Sequence, residues 1–202
     1  MELKPQMQPG EIAIMEKLLL SYSSHVDVLE WGSGGSTVYF TRFLRKKGIS
    51  YTWESVEYNK LWYEKILAEL KGDKHTSLTL FDIGNNENKQ REELMNEYVA
   101  YPATLGKKFD IIIVDGRKRR RCLIEATQLL KPGGTVLLHD GRRTYYHCAF
   151  KHYPDSRILS RSGLWRGKLE DPGFLSRAFN ALLYWLFRTY TFSFRFFHFS
   201  HS

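Results

Sequence analysis

Cysteine is scarce in this chain: Cys122 and Cys148 are the only cysteines among its 202 residues. Two thiols are too few for a disulfide framework, which argues against a small disulfide-stapled secreted fold and favours a reducing compartment. The amino terminus, MELKPQMQPGE, has no apolar run after its lysine and so gives no sign of a signal peptide. Both observations predict a cytoplasmic protein.

The chain also has few long apolar runs, and its acidic residues are fewer than its basic ones. The most apolar segment, residues 174–190, falls short of the roughly 20 uninterrupted residues that a membrane-spanning helix needs. Acidic residues number 22 against 30 basic ones, and the net charge of +8 favours an anionic partner. The 202 residues, 43% of them apolar, are enough for one compact domain with its own core.

Strand-like apolar runs alternate with helix-like stretches over most of the chain. This alternation is typical of a mostly parallel sheet covered by helices on both faces. The predicted strands are 25–30, 50–56, 77–81, 110–114 and 135–138. The predicted helices are 9–22, 36–46, 60–70 after an Asn59 cap, 91–98 and 121–130. With a hairpin from 157–160 and 164–167, we expect an α/β, Rossmann-like doubly wound sheet that ends in an antiparallel hairpin.

Residues 26–37, VDVLEWGSGGST, join an apolar run to an acid and then to closely spaced glycines. Such a segment predicts a buried strand and a tight turn, where glycine allows unusual dihedral angles and a close approach of a ligand. In open α/β sheets, ligands bind at the carboxyl ends of the strands. The turn therefore predicts a site for a nucleoside-bearing cofactor. A dinucleotide motif would need glycine at position 37, where this chain has Thr37.

Acids follow four of the predicted strands: Glu30, Glu57, Asp82 and Asp115. Together with VDG at 114–116 and LLKPGG at 129–134, their order and spacing resemble class I S-adenosylmethionine-dependent methyltransferases over about residues 10–168. The segments LEWGSGGST, FDIG and VDGRKRRRC further resemble a bacterial methyltransferase-like group with a VDGRxR pattern. The third glycine of the family's Gly-x-Gly-x-Gly loop is Ser36 here, a variant that occurs in the narrower group.

The resemblance implies an S-adenosylmethionine site along one edge of the sheet. The turn presents backbone groups to the methionine part, and Glu30 fixes the turn or neutralises the cofactor's cationic end. Glu57 accepts the ribose hydroxyls, while Asp82 and Ile83 lie beside the adenine. The implied cofactor-binding residues are Glu30, Gly32, Ser33, Gly34, Gly35, Ser36, Thr37, Glu57, Asp82, Ile83, Asp115 and Gly116.

Methyl transfer requires little covalent catalysis by the protein, because the sulfonium of the cofactor is already an activated donor. The acceptor needs only to be aligned and to have a group that takes up its proton. The candidates for this catalytic role are Asp115, His139 and Asp140. Asp115 and Asp140 also resemble the magnesium-binding carboxylates of cation-dependent O-methyltransferases, but Gly141 replaces the asparagine expected there. We therefore expect no metal. A core histidine is an equally good interpretation of His139.

A basic run, RKRRR at 117–121, follows the fourth strand. These cations lie at the start of a predicted helix, where the macrodipole disfavours each by about 0.3–1 kcal/mol unless an anion is nearby. Arg142 and Arg143 follow the fifth strand at the same edge of the sheet. We expect Arg117, Arg119, Arg142 and Arg143 to bind an anionic acceptor, with a solvated basic face as the alternative.

Motifs of other methyltransferase classes are missing. The fourth strand lacks the Asp/Asn-Pro-Pro-aromatic loop of many amino-methylating nucleic-acid enzymes, and neither cysteine follows a proline, as in cytosine-C5 enzymes. No RNA-binding module accompanies the basic run. We expect O-methylation of an anionic small molecule or glycan precursor. The alternatives are an RNA methyltransferase and an S-adenosylmethionine-binding or membrane-recruited protein without transferase activity.

The carboxyl end, residues 171–202, is predicted to be an aromatic, basic extension of a domain over residues 1–170. Residues 174–190 are apolar around most of a helical wheel, and residues 191–199 alternate phenylalanine with polar side chains. Three placements compete for this extension: packing on the domain, a homodimer contact, and an interfacial anchor at the inner membrane face.

Overall fold

The computed structural model describes residues 3–84 and 88–173, together with Leu182. Its α-helices are Pro9–Leu19 (α1), Gly35–Lys47 (α2), Lys60–Glu69 (α3), Asn88–Thr104 (α4), Arg119–Leu129 (α5) and His147–Phe150 (α6), and a 3-10 helix spans Thr144–Tyr146. Its strands are His25–Trp31 (β1), Ser50–Glu57 (β2), Thr76–Leu80 (β3), Phe109–Val114 (β4), Leu130–Leu138 (β5), Asp155–Ile158 (β6) and Trp165–Lys168 (β7).

These strands form one sheet in the order β3-β2-β1-β4-β5-β7-β6. Strands β1 to β5 run parallel, whereas β7 pairs antiparallel with both β5 and β6. The strand order reverses between β1 and β4, so the loops that follow these two strands diverge and leave a crevice at the carboxyl edge. The predicted fold class is confirmed: an α/β, Rossmann-like, mostly parallel sheet with a terminal antiparallel hairpin.

Side chains of the central strands alternate between two buried faces, as β1 illustrates. Val26 and Val28 belong to the apolar cluster under α1 and α2, which includes Met15. Leu29 and Trp31 belong to the cluster under α4 and α5. Because both faces are covered, β1 buries apolar side chains on both of them, and its sequence is a mostly apolar run interrupted by Asp27 and Glu30.

The least predictable element was α4. The sequence predicted a short helix over 91–98, but the helix spans Asn88–Thr104 and has Pro102 in its last turn. Its composition is mostly polar, and its buried side chains are Met95, Tyr98, Val99 and Pro102. A helix that buries so few side chains carries a weak apolar period, so its true length is hidden in the sequence.

Other boundaries shifted by smaller amounts. Helix α1 ends at Leu19 rather than at Tyr22. Strand β5 begins at Leu130, before the glycines, rather than at Thr135. Apart from Leu182, the predicted tail segments 174–190 and 191–199 lie outside the described residues, and the domain boundary at residue 170 stays a prediction. Within the described part of the chain, no helix is long and apolar enough to cross a membrane.

Candidate functional site

A cleft of about 690 Å³ opens at the carboxyl edge of the sheet. This volume lies within the range of about 300–1,000 Å³ that is usual for small-molecule sites. The cleft is lined by the glycine turn, by the ends of β2, β4 and β5, by the first turns of α3 and by the segment before α1. The predicted site residues that line it are Gly32, Ser33, Gly34, Gly35, Ser36, Glu57, Asp115, Gly116, Arg119, His139 and Asp140.

The floor of the cleft is a backbone contact between the ends of β1 and β4. Gly32 has a φ of +96°, and a Cβ placed on it would lie 2.4 Å from the nitrogen of Gly116. A Cβ on Gly116 would in turn lie 2.1 Å from the Tyr98 hydroxyl. The carbonyl of Trp31 accepts hydrogen bonds from the backbone nitrogens of Asp115 (2.9 Å) and Gly116 (2.7 Å). Both glycines are therefore required by packing.

The next two glycines serve different purposes. Gly34 has extended backbone, and a Cβ there would meet nothing closer than 3.6 Å, so its open side faces the cleft. Gly35 begins α2, and a Cβ there would lie only 2.0 Å from the carbonyl oxygen of Lys4. The first amide groups of α2 carry the positive end of the helix dipole and lie at the cleft, where they favour an anionic group.

Glu30 lies beneath the turn and is fully buried. Its carboxylate accepts four hydrogen bonds: from the hydroxyls of Ser36 (2.6 Å), Thr37 (2.5 Å) and Ser55 (3.2 Å) and from Nε1 of Trp53 (3.0 Å). Burial raises the pKa of Glu30 to about 7, against the opposing effect of these hydrogen bonds. The Ser36 hydroxyl thus fastens the turn to Glu30. Neither Glu30 nor Thr37 lines the cleft.

Glu57 ends β2 and lies almost fully buried at the cleft wall. Its Oε1 accepts the backbone N–H groups of Tyr58 and Asn59, both at 2.9 Å. Its Oε2 accepts the hydroxyl of Ser33, also at 2.9 Å. Burial raises the pKa of Glu57, although these hydrogen bonds oppose the shift. The backbone hydrogen bonds to Oε1 therefore fix the orientation of the carboxylate. Oε2 is bound by the Ser33 hydroxyl, which can rotate away and leave this oxygen to accept another donor.

Sequence reasoning missed the contribution of α3. Asn59 caps this helix by accepting the N–H of Trp62 at 3.0 Å, as predicted. The Trp62 indole then reaches back and donates to the carbonyl of Ser33 at 2.6 Å, while Nζ of Lys65 lies 5.0 Å from its ring centroid. Trp62, Lys65 and the exposed Leu61 line the cleft. The sequence did contain one signal for this contribution: a tryptophan, Trp62, in the first turn of the helix that follows the strand ending at Glu57.

Arg119 joins the ends of β4 and β5 through four hydrogen bonds and an ion pair. Nε donates to the carbonyl of Gly116 at 3.0 Å, and Nη2 donates to the carbonyl of Asp115 at 2.6 Å. Nη2 also forms an ion pair with the Asp115 carboxylate at 2.9 Å. Nη1 donates to the carbonyl of His139 at 2.8 Å and to the carboxylate of Asp140 at 3.3 Å. Arg119 therefore acts in this structure as a cross-strand clamp, held by carbonyls and carboxylates of both strand ends.

His139 lies between two carboxylates. Its Nδ1 is 3.1 Å from Oδ1 of Asp115, and its Nε2 is 3.6 Å from Oε2 of Glu11. The hydrogen bond with Asp115 raises the pKa of His139, while partial burial opposes the shift. Glu11 is almost fully buried and accepts the hydroxyls of Ser160 (2.9 Å) and Ser162 (2.7 Å). Nothing in the local sequence of α1 marked Glu11 as a site residue.

The five cations at 117–121 all have partners among the described residues. Arg117, which is exposed, lies 5.3 Å from the ring of Tyr58, and Arg120 lies 4.7 Å from the ring of Tyr145. The other three pair with polar groups: Lys118 with Glu92 (2.7 Å), Arg119 as above, and Arg121 with Asn96 (2.5 Å) and Glu92 (3.7 Å). Glu92 of α4 thus supplies the anion that offsets the repulsion of the helix dipole.

The remaining predicted residues lie around the cleft rather than in its lining. Arg143 is well exposed and pairs with Asp140 at 2.7 Å, and Arg142 precedes it in the same turn. Asp82 accepts the N–H of Gly84 at 3.0 Å, and Ile83 donates its N–H to the carbonyl of Tyr58 at 3.4 Å.

Within residues 3–84 and 88–173, no group of three or more His, Cys, Asp or Glu side chains is arranged to hold a metal ion.

Comparison with solved structures identifies the fold. A methyltransferase-like protein from Silicibacter pomeroyi DSS-3 has a TM-score of 0.64 and 23% identity, over 87% of this chain and 93% of that one. Precorrin 8w decarboxylase from Methanobacterium thermoautotrophicum has a TM-score of 0.55 and 15% identity, over 82% and 93% of the two chains. Precorrin-6y C5,15-methyltransferase from Geobacter metallireducens GS-15 has a TM-score of 0.51 and 11% identity, over 78% and 87%.

At identities of 23% or less, these likenesses show a shared Rossmann-like fold. No protein-family model matches the sequence, and no curated protein matches it significantly.

The buried Glu30 generates a prediction about stability. Glu30→Ala leaves Nε1 of Trp53 without an acceptor, so we expect the free energy of unfolding to fall by at least about 2 kcal/mol. In Glu30→Gln the carbonyl can accept from Trp53 and the amide can donate to the Ser36 hydroxyl, so its loss should be smaller. Urea unfolding of both variants measures the difference; equal losses would contradict the role of these hydrogen bonds.

The same residue predicts a pH dependence. Its folded pKa of about 7 lies above the value in the unfolded chain, so its contribution is fully present below the unfolded pKa. That contribution is lost as pH rises through about 7. We therefore expect Glu30→Gln to gain stability relative to wild type between pH 5 and pH 8. A constant difference across that range would contradict the raised pKa.

Proposed function

We propose that the protein is an S-adenosylmethionine-dependent methyltransferase that holds its cofactor in the cleft. The observation that carries the proposal is Glu57, a buried carboxylate with one oxygen fixed by backbone and the other directed toward the Ser33 hydroxyl. A pair of ribose hydroxyls is suited to such an acceptor, as in the dinucleotide folds that place an acid at this strand end. The turn beside it offers the open face of Gly34.

The residues present fit the remaining parts of this cofactor. The first amides of α2 and the backbone at Ser33 and Gly34 suit the carboxylate of its methionine part. Ile83 is tied to Tyr58 next to Glu57, which supports an adenine site along Asp82 and Ile83. When bound, the cofactor supplies the activated methyl group. The chain's own residues then have to align an acceptor with the edge formed by Asp115, His139 and Asp140.

The narrower resemblance to the VDGRxR group gains a physical rationale from these contacts. Within Val114–Arg119, Asp115 and Arg119 form the cross-strand clamp, and Gly116 permits the contact with Gly32. Arg117 covers the ring of Tyr58 at the cleft. Four of the five fixed positions of the pattern therefore have a role at the carboxyl edge, which supports placing the chain in that group.

For the acceptor, we propose an oxygen of an anionic small molecule or glycan precursor. Asp115 and Asp140 are both paired with Arg119, so neither is an unopposed base. An oxygen that is already ionised, in a carboxylate or phosphate, needs no proton acceptor. Because the charge of Arg119 is already paired with Asp115 and Asp140, we assign recognition of the anion to the rim arginines Arg117, Arg142 and Arg143.

Glu57 provides the test of the cofactor assignment. In Glu57→Gln the carbonyl can keep the bonds from Tyr58 and Asn59, but the amide cannot accept a ribose hydroxyl. Loss of a hydrogen bond to a charged group, about 1.5–3 kcal/mol, should weaken S-adenosylhomocysteine binding by at least about ten-fold in calorimetry. Glu54→Gln, on the same strand but paired with Lys107, is the matched control and should bind like wild type.

Arg117 provides the test of the acceptor assignment. Arg117→Ala should leave cofactor affinity unchanged and lower radiolabelled methyl transfer into the acidic metabolite fraction of a cell extract by about ten-fold or more. Lys118→Ala, whose ammonium pairs with Glu92, is the control and should retain transfer. A loss of cofactor affinity in Arg117→Ala would instead place this arginine in the cofactor site.

A further inference from the structure

The segment Leu3–Gln8 crosses the carboxyl edge of the sheet before α1 begins. At its start, Leu3 is buried in a small apolar cluster with Val38 of α2 and Ile66 of α3. Further along, the carbonyl of Lys4 rests on the first residue of α2, where only glycine leaves room for it. The segment is therefore attached to the cofactor side of the cleft before it reaches the opposite side.

At its other end, the segment is fastened by Glu11. One carboxylate oxygen accepts the N–H of Gln8 at 3.1 Å and lies 3.6 Å from Nε2 of His139. The other oxygen accepts the hydroxyls of Ser160 and Ser162 in the turn between β6 and β7. A carboxylate that is 1% exposed thus joins the segment, the hairpin and the end of β5. Its hydrogen bonds outweigh the effect of burial and lower its pKa, which keeps it charged.

Between these two attachments, Gln6 and Met7 face the cleft. Met7 also borders a small apolar void that is shared with Asp115 and His139, so it stands at the edge where an acceptor would meet the methyl donor. Gln6 also lines the cleft and offers both a donor and an acceptor of hydrogen bonds there.

We propose that Gln6 and Met7 are binding residues that complete the wall of the cleft, and that Glu11 is the positioning residue that holds them there. This inference rests on the proposed function, because the ligand enclosed by the wall is the cofactor with its acceptor. Ligand release then requires the segment to detach at one of its two ends. Loosening either end accelerates release and leaves the encounter rate nearly unchanged, as is usual when the contacts of a bound state are removed.

The test follows the dissociation of radiolabelled S-adenosylhomocysteine from the full chain after dilution into unlabelled ligand. Glu11→Ala and Leu3→Ala, at opposite ends of the segment, should each raise the dissociation rate by about ten-fold, with association rates within about two-fold of wild type. Glu11→Gln should rescue most of the loss, since its carbonyl can accept from Gln8 and its amide can donate to the serine hydroxyls. Glu16→Ala, on the same helix but paired with Tyr39, should release ligand like wild type.

Three results would overturn the proposal. Wild-type dissociation rates in both Glu11→Ala and Leu3→Ala would show that the segment does not enclose the ligand. A Glu11→Gln variant as fast as Glu11→Ala, with Leu3→Ala unchanged, would mean that Glu11 acts through its charge on His139 instead. If Glu11→Ala does not fold, Leu3→Ala decides the matter by the same measurement. Failure of wild type to bind either form of the cofactor would be distinct, because it refutes the proposed function itself.

Discussion

At their carboxyl ends, β1 and β4 touch backbone to backbone, and the rest of the site depends on that contact. Gly32 and Gly116 lie so close that a Cβ on either would collide with its neighbours. The contact fixes where the two loops diverge and therefore where the cleft opens. Glu30 fastens the turn from beneath through four hydrogen bonds, and Arg119 ties β4 to β5 beside it. The cleft is thus preorganised by buried polar contacts of the chain itself.

The features that could be predicted from the sequence are those determined by residues close together along the chain. A strand buried on both faces is mostly apolar, and a turn with positive φ or a close backbone contact selects glycine, so β1, β4 and the turn at residues 32–35 could be recognised directly. The acids that end the strands were recognisable because parallel strands bring their carboxyl ends to one edge. The hairpin after β5 followed from its turn residues at Ser162 and Gly163.

The features that were missed depend on contacts between distant parts of the chain. Glu11 meets the turn at Ser160 and Ser162 across most of the sequence, and no pattern within α1 reveals that pairing. The partners of the basic run at 117–121 were hidden from the sequence for the same reason. Its charge suggested unsatisfied cations, yet α4 supplies Glu92 and the strand ends supply the acceptors of Arg119. Which arginine can bind an anionic acceptor depends on these pairings in three dimensions. Because Arg119 is engaged by the strand ends, the proposed anion-binding residue is Arg117 rather than Arg119.

The most direct test of the cofactor site is a crystal structure of the full chain grown with S-adenosylhomocysteine. The account predicts the ligand in the cleft, with both ribose hydroxyls on Glu57 and its carboxylate at the amino end of α2. The Ser33 hydroxyl should then have turned away from Glu57. Ligand bound elsewhere on the chain, or in the cleft without contact to Glu57, would contradict the account.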